Sequence, residues 1–195
     1  MKSVLIAAGF GLIISILMTP LAIRAFRRHG LGQEIRDDGP ESHLSKKGTP
    51  TMGGTVIVGA TVFGYTVAHM FLSDQANWGF TVSGALLLFL MVGMGTVGFL
   101  DDYLKIRHRR SLGLNKTAKL VGQLVVGVGF AVLAINFPNR DGVTPASTFV
   151  SYVRDIAPFA LGSVAFVLLA YLFIAGFSNA VNLTDGLDGL DGLAA

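Results

Sequence analysis

Three polar clusters stand out in this chain, and each has residues suited to phosphate or metal chemistry. The first is Asp101-Asp102-Tyr103-Leu104-Lys105. It follows the run Gln75–Leu100, which holds no charge. Two adjacent carboxylates at the end of such a run are expensive unless water, cations or a metal compensate them. They could coordinate Mg²⁺ or supply a general base at a lipid boundary. They could also simply close a helix as solvated acids beside Lys105 and Arg107. On a helix, neighbouring side chains point about 100° apart, so both carboxylates need not serve one ligand.

The second cluster is the segment from Arg36 to Gly54, which mixes cations, hydroxyls and glycines just before an apolar run. Glycine-freed amides with Lys and Thr side chains suit phosphate oxygens. Its spacing matches neither the Walker A nor the dinucleotide fingerprint. The plainer alternative is a solvated basic loop. The third cluster is Asn179, Asn182, Asp185, Asp188 and Asp191, spaced by three, with Gly186, Gly189 and Gly192 between the acids. On a helix each step of three lags by about 60°. Asn182 and Asp185 can therefore meet one ligand, and Asn179 and Asp188 join them only if the helix unwinds. The glycines permit unwinding. A flexible glycine-rich tail is the alternative. His29, His43, His69 and His108 are scattered and make no metal spacing.

The elements that must position these clusters are membrane spans. Hydrophobic residues are 52% of the 195 and charged residues 14%, and mean hydropathy is +0.62. A soluble domain carries about 25% charge, so these numbers exclude a soluble coat and equally exclude disorder. With no cysteine, disulfides, thiolate zinc sites and cysteine nucleophiles are excluded too. A helix needs about 20 mostly apolar residues to cross a bilayer. Five runs qualify, at about 3–23, 53–72, 78–100, 120–137 and 157–177. Each is continuously apolar, not alternating, which argues against barrel strands. The expected fold is all-α, a polytopic transmembrane helix bundle in a single membrane domain over 1–195. Lys2 and the first run resemble a signal peptide. The run is long, however, and Ala22-Ile23-Arg24 is no small-x-small cleavage site, so it is read as a retained span.

Twelve of the fifteen Lys and Arg sit between spans one and two or between spans three and four. Positive-inside counting makes those loops cytoplasmic. The N-terminus is then outside, Trp78 lies at the outer interface, and all three polar clusters share the cytoplasmic face. Nucleic-acid binding is not expected, because the basic stretches are short and tied to spans.

At these clusters the chain resembles the phospho-N-acetylmuramoyl-pentapeptide transferases, within the polyprenyl-phosphate sugar-1-phosphate transferase superfamily. The resemblance rests on Gly39-Pro40, His43 and Lys46–Gly54; on Gly98–Lys105 followed by Gly113-Leu114 and Lys116; and on Asn179–Leu190. It implies a bacterial plasma-membrane enzyme with a cytoplasmic active site. Such an enzyme moves phospho-MurNAc-pentapeptide from UDP-MurNAc-pentapeptide to undecaprenyl phosphate, giving lipid I and UMP, with Mg²⁺ as cofactor. Carried over by motif, Asp101 is the base toward the lipid phosphate, or in another proposal a covalent nucleophile, and Asp102 supports it. Asp185 joins the catalytic set and is the candidate metal ligand. Lys46, Thr51, Lys105, Asn179, Asn182 and Asp188 become substrate-binding candidates. A homodimer is left open.

The resemblance also carries departures. The family is nearly twice this length, and a later Mg²⁺-binding Asp and a His-rich loop have no counterpart here. Asp191-Gly192-Leu193 repeats the preceding triplet where the family continues with small apolar residues. These residues are expected to correspond to the N-terminal half of the enzyme and not to catalyse transfer alone. Competing readings are a polyprenyl-phosphate GlcNAc-1-phosphate transferase, which the GTPTMGG stretch disfavours, a transporter, and a non-enzymatic membrane scaffold. With no charge in mid-span, a conduction path is poorly served.

Overall fold

The computed structural model describes residues 2–30, 52–72, 80–108, 113–151 and 155–185. In chain order these form α1 (Lys2–Arg28), α2 (Gly54–Leu72), α3 (Val82–His108), α4 (Lys116–Asn136), β1 (Phe149–Ser151), β2 (Asp155–Ala160) and α5 (Gly162–Asp185). Among the described residues five helices are long and apolar enough to cross a membrane. The expected all-α, multi-pass membrane architecture is therefore what the chain adopts, with one small addition. β1 and β2 pair antiparallel, Phe149 opposite Ala160 and Ser151 opposite Asp155.

Three of the boundaries that differ from the apolar runs have a local physical reason. The third run ends at Leu100, but α3 continues to His108. The cost of carrying Asp101 and Asp102 so far along a helix is offset by Lys105, Arg107 and His108, cations that suit the negative end of the helix dipole. The acid pair thus sits on a helix, not in a loop. The fourth helix starts early, at Lys116, because Asn115 caps it: its Oδ1 accepts from the Ala118 amide at 2.6 Å. The fifth starts late. Pro158 has no amide hydrogen and disfavours helix at the residue before it, so this stretch is strand. Gly162, with φ +71°, then turns the chain into α5.

The chain divides into two compact units, 1–81 with 91–119, and 82–90 with 120–195. In the first, α1 and α2 pack on small residues. Ala60 and Ala68 on α2 are buried, and a β-carbon placed on Gly64 between them would lie 2.5 Å from the Ala7 carbonyl oxygen and 2.9 Å from the Gly11 nitrogen. Only glycine permits that approach of two helix backbones, the usual way helices associate where lipid supplies no hydrophobic drive. In the second, Ala131 and Ala134 on α4 are buried, and Gly127 faces Tyr171 and Ile174 of α5.

Candidate functional site

The first unit holds the acid pair. Asp101 and Asp102 precede Lys105 by four and three residues, the two spacings that share a helix face. Lys105 Nζ lies 2.6 Å from Asp101 Oδ2 and 3.0 Å from Asp102 Oδ1. The two carboxylates, 100° apart at their Cα atoms, therefore do converge on one cation, because that cation extends back over the turn that carries them. The side chain of Asp101 is 14% exposed and that of Asp102 35%. The more buried carboxylate is the more fully partnered.

That extra partner comes from beyond the helix. The Leu114 amide donates to Asp101 Oδ1 at 2.8 Å. Each Asp101 oxygen thus has its own donor, and the carboxylate cannot spin. Gly113 makes the approach possible. A β-carbon there would collide with the Asp101 carbonyl oxygen and lie 2.5 Å from Oδ1. Gly113→Ala should therefore displace Asp101 and expose its carboxylate. With Asp101 as the base of a transferase, kcat would fall about 10-fold, as it does when a reacting group is misplaced. A kcat within twofold of the parent would refute it.

Next to the pair runs an apolar groove of about 460 Å³. It is lined by Met52, Thr55 and Val58 on the α2 side and by Val92, Phe99 and Asp102 on the α3 side. Its hydroxyls are internally satisfied: Thr55 donates to the Met52 carbonyl and Thr96 to the Val92 carbonyl. The groove is thus greasy along its length, with a carboxylate among its lining residues. Met52 is buried and holds φ +70°, a left-handed conformation uncommon for its type. Its carbonyl also accepts the Thr55 amide, so this residue shapes the entry to α2.

The second unit holds Asn179. Its Nδ2 donates to Gln123 Oε1 at 3.0 Å and to the Ala175 carbonyl at 2.8 Å. Gln123 Nε2 donates in turn to Ser178 Oγ at 3.3 Å. Asn182 is exposed one turn on. Asp185 ends α5, so the helix stays wound through the first acid of the ladder. The side chain of Asp185, and Lys46, Thr51 and Asp188 altogether, lie outside the described residues.

Among the described residues no group of three or more His, Cys, Asp and Glu gathers for a metal. The Asp101–Asp102 pair nevertheless fits Mg²⁺, which takes hard oxygen ligands and is held by one or two carboxylates, with phosphate and water oxygens completing its shell. Both carboxylates already aim at one cationic atom. Reading the sequence for chemistry singled out the acids, Lys105 and Asn179. It missed Gln123 and the roles of Gly113 and Leu114. A glutamine inside an apolar run was the available signal for Gln123.

A family model described as glycosyl transferase family 4 matches residues 84–195. The phospho-N-acetylmuramoyl-pentapeptide-transferase signature 1 matches residues 46–58. Curated relatives carrying the name phospho-N-acetylmuramoyl-pentapeptide-transferase come from Saccharopolyspora erythraea, Frankia alni and Rhodococcus opacus. The first is 56% identical over 192 residues, 98% of this chain and 52% of that protein. The second is 56% identical over 190 residues, 97% and 52%. The third is 54% identical over 190 residues, 97% and 53%. The chain spans about half the length of these relatives.

Proposed function

This chain belongs to glycosyl transferase family 4, and on that premise we propose that it provides the phosphate-handling part of a phospho-MurNAc-pentapeptide transferase. Its donor is UDP-MurNAc-pentapeptide, its acceptor undecaprenyl phosphate, and its products lipid I and UMP. The reading is supported by relatives of that name at 54–56% identity and by the signature over 46–58. The observation that carries it is the acid pair closed on Lys105 beside an apolar groove. An amphiphilic phosphate needs both: a polar end where charge is handled and a dry wall for its tail.

In this reading the N-terminus lies outside and the active site faces the cytoplasm of a bacterial cell, at the plasma membrane. Asp101 takes the proton from the acceptor phosphate, its oxygens held by Lys105 and the Leu114 amide. Asp102 shares Lys105 and keeps that lysine in place. Two anionic phosphates repel as they approach, so cations must meet them. Lys105 supplies one charge. Mg²⁺, which Asp102 would help to hold, would offset the remainder when bound; Asp185 is a metal-ligand candidate on its motif alone. Lys46, Thr51, Asn179, Asn182 and Asp188 are assigned to the nucleotide and its phosphates.

The test is a chimera in which this chain replaces its matched 192-residue segment of the S. erythraea relative. Transfer from UDP-MurNAc-pentapeptide to undecaprenyl phosphate should appear in membranes carrying the chimera. The 195 residues alone should show none. A folded, membrane-inserted chimera without transfer would overturn the proposal. Transfer of GlcNAc-1-phosphate from UDP-GlcNAc instead would move the chain to the sister activity.

A further inference from the structure

Gln123 is the one described polar residue buried in the interior, at 1% exposure. It lies on an otherwise apolar stretch of α4. A carboxamide there is costly unless both ends are paired. Both are. Its oxygen accepts from Asn179 and its nitrogen donates to Ser178. These are consecutive residues of α5, whose side chains leave the helix about 100° apart. A single bond between two helices lets one roll about the contact. One carboxamide bridging two directions does not. The second amide hydrogen of Asn179 is used on the Ala175 carbonyl, so the Asn179 side chain is itself held against its own helix.

We propose that Gln123 is a positioning residue, which fixes the rotation of α5 through Asn179 and so aims Asn182. The inference rests on the transferase reading, because that reading gives Asn182 something to be aimed at. Its geometry stands without it. Asn182 follows Asn179 by three residues, about 60° off the same face, and is exposed while Asn179 is half-buried. A modest roll of α5 would exchange those environments. Simple helix glue would not need this design, since interhelical hydrogen bonds in lipid contribute little on average.

The chain has no cysteine, so Asn182→Cys provides a single thiol for maleimide labelling of the full chain in nanodiscs. Gln123→Leu, which fills the same space without either bond, should change the labelling rate at least fivefold. Gln123→Glu should stay within twofold: as a neutral acid it accepts from Asn179 and donates to Ser178. Thermal melting of each variant shows whether it folds, and Gln123→Glu with Gln123→Met extend the series if Gln123→Leu does not. A labelling rate unchanged across the apolar variants would overturn the inference. In the chimera, Gln123→Leu should lower kcat about 10-fold and Asn179→Leu by at least as much, since Asn179 also serves the substrate; adding Gln123→Leu to Asn179→Leu should cost nothing further, because Gln123 acts through that residue. Additive losses would overturn it as well. If the parent chimera is inactive, the transferase reading fails and the labelling experiment decides the inference alone.

Discussion

Asp101→Asn is expected to lower kcat for lipid transfer in the chimera by about 10³-fold, within the range a positioned acid or base contributes. The substitution is close to isosteric. The amide oxygen of the new side chain can still accept from the Leu114 amide, the contact that Asp101 makes at 2.8 Å. What disappears is the negative charge facing Lys105 at 2.6 Å and the ability to take a proton. The loss should therefore fall on kcat, with KM for the nucleotide donor changed by less than about threefold, the pattern of an interaction made chiefly in the transition state. Asp102→Asn should cost less, about 10-fold, because that carboxylate is more exposed and has one described partner. Steady-state kinetics on both variants, with circular dichroism to confirm the fold, provides the check. Equal losses at the two positions would mean that the pair acts as a unit and that Asp101 has no separate role as the base.

Lys105→Met should lower kcat/KM by about 10²-fold, or about 2.7 kcal/mol of transition-state stabilisation. Methionine keeps the length and the apolar stem, so packing is largely retained. The charge is lost from between two carboxylates that are neighbours in sequence and share one cation. The acids then repel each other at the negative end of α3, and one cation fewer meets the phosphates. Because the lysine is about one-third exposed, water screens part of the effect. Lys105→Arg should recover part of the rate. It keeps the charge, but a planar fork cannot place one atom between the two oxygens as an ammonium does. Pairing Lys105→Met with Asp102→Asn should restore thermal stability without restoring turnover. Recovery of both would show that Lys105 only balances charge within the protein.

Much of the site was legible from residue order alone. Charges in this chain lie outside the apolar runs, because placing them in lipid is costly. Asp101, Asp102 and Lys105 are close in sequence, so helical spacing already brings them together once the helix is known to continue. That continuation was the part missed. Hydropathy ends at Leu100, and the cations that carry the helix to His108 read as loop residues when only apolarity is counted. The strand pair was missed for a related reason: β1 has three residues and β2 six, too short to show an alternating pattern.

Sequence by itself determined which segments are long and apolar enough to cross a membrane, the all-α class, and which residue types stand at the ends of those segments. Those properties follow from transfer free energies and from spacings within one helix, both local. Only the tertiary structure decided that the Leu114 amide and Gly113 close on Asp101, and that Gln123 answers Asn179 across 56 residues of chain. Such contacts depend on how far and at what rotation two separate helices or turns meet. Periodicity within either segment does not encode that, because it arises from shape and from the need to pair every buried polar group.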